Sequence, residues 1–211
     1  MPDTKTHVEY YFHTKPKTDR RWGNIRNVAS IDPGIDHFAL RIESINIDTK
    51  EIRPIVYTKF PARRSKKQTT LLEDYYTHLT ENLDIFLPQL LECHYFIFEH
   101  QAKISTRMVR ISQHVLTYLG LKTRDSPKLP SIIEVLTTVK KRVLCPKKGE
   151  DIKECSINKA IEDFTVGKDN FSLDILNEAK KKDDLADAYW QLRGFMAYVF
   201  PQLKENEVLP R

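Results

Sequence analysis

The chain is short of glycine and cysteine and contains no long apolar run. Its six glycines leave little material for the glycine-rich loops with which ATPases hold phosphates. Cys93, Cys145 and Cys155 form no CxxC pair, which argues against a zinc site and fits a reducing, intracellular compartment. No apolar stretch approaches the roughly 20 residues that cross a bilayer, and the polar N-terminus lacks the apolar core of a signal peptide.

Charged residues, by contrast, are plentiful. They make up 30% of the 211 residues beside 40% hydrophobic residues, proportions typical of a globular protein with a sizeable core. The net charge of +5 and the isoelectric point near 9.0 suit a partner with a phosphate backbone. Many basic proteins never touch nucleic acid, so the charge is compatible with such a partner without proving it.

Composition divides the chain into three parts. Residues 1–26 are polar and basic, and we interpret them either as a loosely packed basic arm or as a solvated tail. Residues 27–200 carry the apolar patterns of one domain, and residues 201–211 form a C-terminal tail. Within the domain we predict five strands, at about 28–31, 37–47, 52–60, 95–98 and 132–136.

Apolar residues at three-to-four spacing predict four helices, at about 71–86, 102–119, 156–166 and 183–200. Pro88 interrupts the first helix, and Gly120 is expected to end the second. Residues 140–154 are polar and rich in lysine and predict a flexible loop. The order of the elements predicts an α/β fold, a mixed sheet of three antiparallel and two parallel strands with helices on both faces.

Four acidic residues lie at positions where this fold would bring them together. Asp32 ends the apolar run Ala29-Ser30-Ile31-Asp32-Pro33-Gly34, and Glu99 ends Tyr95-Phe96-Ile97-Phe98-Glu99. Asp184 and Asp187 are three residues apart, which places them on one face of a helix. Clustered carboxylates repel one another, and a divalent cation that prefers oxygen ligands is the usual reason for such a cluster. The pattern predicts two Mg²⁺ or Mn²⁺ ions and a metal-dependent nuclease.

Each motif has a simpler explanation when it is taken alone. Asp32-Pro33-Gly34 is a good turn sequence, and Glu99 is suited to cap the following helix. The acids from Asp183 to Asp187 are typical of a first helical turn, where the helix dipole favours negative charge. A shared metal site explains all of them at once, and we interpret Asp183 as a dipole or supporting residue.

The order and spacing of these motifs resemble the Holliday junction resolvases of the ribonuclease H-like superfamily. Ile31-Asp32-Pro33-Gly34 is similar to the bacterial RuvC type, and Lys182-Asp183-Asp184-Leu185-Ala186-Asp187 to the resolvases of poxviruses and related large DNA viruses. The resemblance implies a ribonuclease H-like fold and a homodimer that cuts a four-way DNA junction symmetrically with two Mg²⁺ or Mn²⁺ ions. It also implies that the four metal-binding acids are Asp32, Glu99, Asp184 and Asp187.

The resemblance further implies a catalytic lysine in a basic stretch before the penultimate helix. The segment Ser156-Ile157-Asn158-Lys159-Ala160 is similar to that region, which makes Lys159 the first choice. Lys153, Lys147 and Lys148 remain alternatives.

DNA contacts are predicted at two basic segments. One is the loop that contains Arg63, Arg64, Lys66 and Lys67, and the other is a helical stripe of Lys103, Arg107, Arg110 and His114. Gln101 follows Glu99 closely enough to touch substrate. The alternative for both segments is a solvated surface. Three functions stay open: a junction endonuclease, a nuclease for RNA–DNA hybrids, and a non-catalytic nucleic-acid-binding module.

Overall fold

The computed structural model describes residues 10–12, 23–64, 72–101, 106–128, 130–144 and 149–200. Its strands are β1 (Tyr10–Phe12), β2 (Ile25–Asp32), β3 (Phe38–Asn46), β4 (Ile52–Phe60), β5 (Tyr95–Glu99) and β6 (Ser131–Val135). Its helices are α1 (Leu72–Ile85), α2 (Leu87–Leu91), α3 (Thr106–Thr123), α4 (Thr137–Leu144), α5 (Ile152–Val166), α6 (Asn170–Glu178) and α7 (Asp183–Val199).

The six strands form one mixed sheet in the order β1-β6-β5-β2-β3-β4. Strands β2, β3 and β4 pair antiparallel, as expected for three strands joined by short links. Strand β5 pairs parallel with both β2 and β6. The first strand of the antiparallel part and the first strand of the parallel part are therefore neighbours at the centre of the sheet.

Both faces of the sheet are covered, because successive strand residues point to opposite sides. On one face, Ile31 and Phe98 pack with Leu79 of α1 and Ile111 of α3. On the other face, Val28, Tyr95 and Ile97 pack with side chains of α4 and α7, among them Val139, Leu192 and Phe195. A third cluster joins α5, α6 and α7 around Trp190, which is fully buried. The predicted α/β architecture is confirmed.

The structure differs from the sequence prediction in several places. Residues 10–12 of the predicted arm form β1, which pairs antiparallel with β6. Residues 137–144 form α4, and α5 begins at Ile152, so the loop predicted at 140–154 is wrong in most of its length. The link before α7 contains α6. Helix α3 continues past Gly120 to Thr123.

Two of these differences, the unpredicted helices α4 and α6, have a common physical reason. Helix α4 has only eight residues and α6 nine, so neither offers enough turns for a clear apolar period in a polar segment. Gly120 keeps a helical backbone because a single glycine weakens a helix without ending it. Within the described residues, no helix is long and apolar enough to cross a membrane.

Candidate active site

The first two acids lie at the carboxyl ends of the two central strands. Asp32 is the last residue of β2 and Glu99 the last residue of β5, and Ile31 pairs with Phe98 in the parallel ladder between them. The turn after Asp32 is tight, since the Gly34 amide donates to the Asp32 carbonyl at 3.0 Å. A Cβ atom on Gly34 would lie 2.3 Å from the His37 carbonyl oxygen, so this turn requires glycine. The Asp-Pro-Gly motif thus combines a turn with an acid at the centre of the sheet.

Helix α7 brings the other two acids to the carboxyl ends of these strands. Asp184 and Asp187 lie in its first two turns, and the helix packs on β2, β3 and β5. Lys181 donates to Asp184 Oδ1 at 3.0 Å. The other oxygen, Asp184 Oδ2, is buried without a hydrogen-bond partner among the described residues. A buried carboxylate oxygen of this kind is costly unless something binds it.

Repulsion between like charges shows that the other three carboxylates lie near Asp32. Burial raises the pKa of Asp32 well above its ordinary value, and the charges of Glu99, Asp187 and Asp184 raise it further. Burial also raises the pKa of Asp187, although Lys140 opposes this. We refer to Asp32, Glu99, Asp184 and Asp187 as the carboxylate cluster. The sequence prediction that these four acids form a metal site stays a prediction.

A lysine that sequence reasoning missed lies in the middle of the carboxylate cluster. Lys140 of α4 donates to Asp187 Oδ2 at 2.7 Å, and its Nζ lies 3.4 Å from Glu99 Oε1. Burial acts to lower the pKa of Lys140, but the surrounding carboxylates outweigh it, and its pKa lies above the ordinary value. The sequence offers only a weak signal for it, a lysine a few residues beyond a strand that ends beside Glu99. The polar composition of its segment predicts a loop instead.

Close packing of α4 on α7 places Lys140 there. A Cβ atom on Gly194 of α7 would lie 2.6 Å from Val139 Cγ1 and 2.9 Å from the Val139 carbonyl oxygen. The glycine therefore lets the backbones of the two helices approach at the residue that precedes Lys140. Helix α4 also supplies Thr137, whose hydroxyl donates to Glu99 Oε1 at 2.8 Å.

The donor chemistry of the carboxylate cluster fits a hard divalent cation. Four carboxylates supply only oxygen ligands, and Asp184 Oδ2 is buried and unpartnered within the described part of the chain. Among those same residues, however, no three acidic, histidine or cysteine side chains converge closely enough to hold an ion as they stand. The Glu99 and Asp187 carboxylates instead approach the Lys140 ammonium. The residues fit the ion in kind, and binding would require these two acids to exchange Lys140 for it.

The two described candidates for the catalytic lysine are placed differently. Lys159, the first choice from the sequence, donates to the carbonyl of Leu144 rather than to one of the four acids. Lys153 donates to Asp183 Oδ2 at 2.7 Å, and its side chain is 67% exposed. This pairing lowers the pKa of Asp183 against the effect of burial. Asp183 thus lies in ion pairs with Lys153 and Lys181, while Lys147 and Lys148 lie outside the described residues.

The predicted basic loop is only partly described. Arg63 lies 2.6 Å from Asp36, and Arg64 lies 2.5 Å from Glu81, so both arginines take part in ion pairs within the chain. Lys66 and Lys67 fall outside the described residues. Gln101 donates to the Glu99 carbonyl at 3.1 Å, which places its side chain at the edge of the site.

The predicted helical stripe divides into two kinds of residue. Arg107 and Arg110 are exposed on α3, as a phosphate contact requires. His114 instead stacks on Tyr76 of α1, with ring centroids 4.5 Å apart, and forms a hydrogen bond with Thr80. It therefore belongs to the contact between α1 and α3, and its prediction as part of the stripe is wrong. Lys103 lies outside the described residues.

Comparison with known proteins finds likeness at the level of structure. No protein-family model matches the chain, and no curated protein sequence matches it. The yeast mitochondrial Holliday junction resolvase Ydc2 superposes with a TM-score of 0.62 at 17% identity, over 85% of this chain and 82% of that one. Fowlpox virus resolvase in complex with Holliday junction DNA superposes with a TM-score of 0.55 at 19% identity, over 82% and 98%.

A bacterial protein has the same arrangement. RuvC of Thermus thermophilus superposes with a TM-score of 0.52 at 12% identity, over 82% of this chain and 97% of that one. At such low identities the likeness establishes a shared fold. The ribonuclease H-like fold predicted from the sequence is confirmed, and the chain is similar in structure to Holliday junction resolvases from a yeast, a virus and a bacterium.

Proposed function

We propose that this chain is a structure-selective DNA endonuclease that resolves four-way (Holliday) junctions. The observation that supports the proposal is that Asp32 and Glu99 end the neighbouring central strands β2 and β5, near enough to Asp184 and Asp187 of α7 for the three other acids to raise the pKa of Asp32. A protein that only bound nucleic acid would gain nothing from concentrated negative charge next to phosphates. The fold is one that a fowlpox virus resolvase uses to bind Holliday junction DNA.

In this mechanism the carboxylate cluster would hold two Mg²⁺ or Mn²⁺ ions. Metal bound there would supply activation of water at neutral pH and positive charge for the leaving 3′ oxygen. Asp32 is suited to a central position because it is the last residue of a buried strand and feels the charge of the other three acids. Thr137 orients Glu99 through its hydroxyl. A junction has two symmetric scissile positions, so we also propose a homodimer with one site in each subunit.

Lysines around the carboxylate cluster provide positive charge for the DNA backbone. We assign the transition-state role to Lys153, because its exposed ammonium is held beside the site by Asp183. Lys140 is suited to a different task, the partial neutralisation of Glu99 and Asp187. Lys181, which contacts Asp184, is exposed enough to bind a phosphate. Arg107 and Arg110 extend the basic surface along α3.

The deciding experiment is Mg²⁺-dependent cleavage of a labelled four-way junction, beside a linear duplex and an RNA–DNA hybrid. We expect paired symmetric nicks in the junction alone. Asp184→Asn should lower the rate of this cleavage by about 100-fold or more. The matched control is Asp125→Asn, which changes an exposed aspartate in the turn after α3 and should cleave as the wild type does. Cleavage of the hybrid alone would assign the chain to the ribonucleases. Binding without cleavage in Mg²⁺ and in Mn²⁺ would leave a binding module.

The lysine assignment has its own test. Lys153→Met should lower the maximal cleavage rate strongly, whereas Lys159→Met should act mainly on stability because Lys159 caps the Leu144 carbonyl. Single-turnover rates and unfolding midpoints of the two variants separate these effects. A larger rate loss in Lys159→Met at equal stability would restore Lys159 as the catalytic lysine.

A further inference from the structure

Helix α7 carries a buried amide one turn after Asp187, on the side that faces the sheet. The residue is Gln191, which is only 3% exposed. Its Nε2 donates to the Ile31 carbonyl at 3.2 Å and to the Ile97 carbonyl at 3.1 Å. A single amide group on the helix is therefore joined to both central strands, β2 and β5.

The two acceptors lie next to the catalytic acids in the chain. Ile31 directly precedes Asp32, and Ile97 lies two residues before Glu99. Gln191 itself lies four residues after Asp187, which is about one helical turn. The two hydrogen bonds thus join all three elements that contribute to the carboxylate cluster, within two residues of the acids on the strands.

An amide is an unexpected choice at this position if packing were the only requirement. The neighbouring Leu192 and Phe195 fill the same helix–sheet contact with apolar side chains. A buried amide that loses its partners loses both hydrogen bonds and keeps its full desolvation cost, whereas an apolar side chain would lose little by a small shift. A misplaced helix is therefore penalised more strongly with an amide at this position. A shift of α7 by one residue, about 1.5 Å along its axis, would break both hydrogen bonds.

We infer that Gln191 is a positioning residue that fixes the register of α7 on β2 and β5 and thereby sets the spacing of the carboxylate cluster. This inference rests on the proposed function for its catalytic consequence, but its structural part does not. Groups that orient metal ligands typically change metal affinity by about 10- to 100-fold when they are removed. We expect Gln191 to act in this way without touching substrate.

The test uses Gln191→Met, which keeps the volume and removes the donors, so the core should tolerate it. Its matched control is Trp190→Phe, which changes the adjacent buried residue and removes a 2.8 Å hydrogen bond to the Ser156 carbonyl of α5 instead. Hydrogen exchange of the metal-free proteins comes first. In Gln191→Met, amides at residues 30–32 and 97–100 should exchange about tenfold faster, and in the control they should not.

Titration calorimetry with Mg²⁺ or Mn²⁺ on the DNA-free protein is the second measurement. Gln191→Met should bind the ion at least about tenfold more weakly than Trp190→Phe when both are folded. Unchanged hydrogen exchange at the strand ends in Gln191→Met would overturn the inference. Faster exchange with unchanged metal affinity would also overturn it, because the hydrogen bonds of Gln191 would then be merely structural. If the wild type binds no divalent cation, the proposed function fails, while the exchange comparison still decides whether Gln191 holds the three elements together.

Discussion

Two groups of charged side chains lie along helix α7, and they differ in how their charge is balanced. The carboxylate cluster, at the start of the helix, contains four acids. The buried Lys140 forms an ion pair with Asp187, and the more exposed Lys181 forms one with Asp184. The second group, Arg41, Glu43 and Arg193, lies between β3 and the later turns of the helix, and we refer to it as the arginine cluster. Its members approach to 2.5 Å between Arg41 and Glu43 and to 2.9 Å between Arg193 and Glu43.

The arginine cluster is closed to solvent, and Asp169 adds a second carboxylate, 3.4 Å from Arg41. Arg41 and Glu43 are fully buried. The Arg41 guanidinium lies over the rings of Tyr57, Tyr189 and Phe164, at 4.4, 4.9 and 5.2 Å from their centroids. Aromatic faces attract cations, so the rings supply the attraction that water would otherwise provide. These features describe a structural group that joins the sheet to α5 and α7.

The carboxylate cluster lies at the carboxyl ends of β2 and β5. It contains more negative than positive charge. Burial of unpaired like charges destabilises a fold, so such an excess persists where another requirement maintains it. Both clusters bring acids and bases together against the same helix, and they differ in the balance of charge and in exposure to solvent. The comparison teaches that uncompensated charge, rather than buried charge as such, marks the candidate functional site of this molecule.

The largest expected effect is the loss of stability on breaking the arginine cluster. Glu43→Gln removes the carboxylate that both arginines share and leaves two buried cations beside the partly exposed Asp169, which should lower the free energy of unfolding by about 3–5 kcal/mol. Denaturant unfolding measures this. Glu81→Gln, which breaks the exposed pair with Arg64, is the control and should leave the unfolding midpoint unchanged. Equal small effects in both variants would contradict a structural role for the cluster.

Removal of a charge from the carboxylate cluster should have the opposite effect on stability. Asp32→Asn should lower the rate of junction cleavage by about 100-fold or more. It should also raise the melting temperature of the metal-free protein at neutral pH, because burial and the neighbouring acids disfavour the Asp32 carboxylate.

The pH dependence of that gain is fixed by the raised pKa of Asp32. Asp32 binds its proton more tightly in the folded wild type than in the unfolded chain, so protonation of Asp32 stabilises the fold. This stabilisation of the wild type is complete below the ordinary pKa near 3.8 and is lost as pH rises through the pKa of the folded state. The advantage of Asp32→Asn in melting temperature should therefore shrink on acidification. An advantage that is constant with pH, or a destabilised variant at neutral pH, would contradict the account.

The same comparison explains how much the sequence could predict. The carboxylate cluster was predictable because each acid follows a clear strand or opens a clear helix, and strand order then brings them together. The arginine cluster was not. Residues 37–47 alternate apolar and other side chains, and such alternation is typical of a half-buried strand. Arg41 and Glu43 are nevertheless fully buried, because the helices of the C-terminal region cover their face.

Lys140 and Gln191 escaped prediction for a related reason. Each acts through a contact between elements far apart in the chain, Lys140 with Asp187 and Gln191 with Ile31. Local patterns carry no signal for such contacts, and the short helix α4 reads as a loop in the sequence. Lys159 is favoured by motif similarity, whereas the fold turns its side chain toward Leu144.

A smaller effect is expected where α4 crosses α7. Gly194→Ala would place a methyl group against the Val139 backbone, which should cost about 1–3 kcal/mol of stability and move Lys140 relative to Asp187. Gly120→Ala in α3 is a matched control, because no atom would lie within 4 Å of the added methyl group and alanine favours a helix by up to about 1 kcal/mol. Thermal unfolding should thus show opposite signs for the two variants. Equal signs would refute close packing as the reason for Gly194.

The smallest expected effect is the loss of one hydrogen bond within the carboxylate cluster. Thr137→Val keeps the shape of the side chain but removes the donor to Glu99 Oε1, a bond worth about 1 kcal/mol. Junction cleavage should fall by about five- to tenfold, and Thr137→Ser should restore most of it. Thr165→Val, which removes a hydroxyl bond to the Ile161 carbonyl on the exposed side of α5, should leave cleavage unchanged. We expect this loss because Glu99, among other negative charges, depends on each of its donors. Equal cleavage rates in Thr137→Val and Thr165→Val would show instead that Lys140 alone orients Glu99.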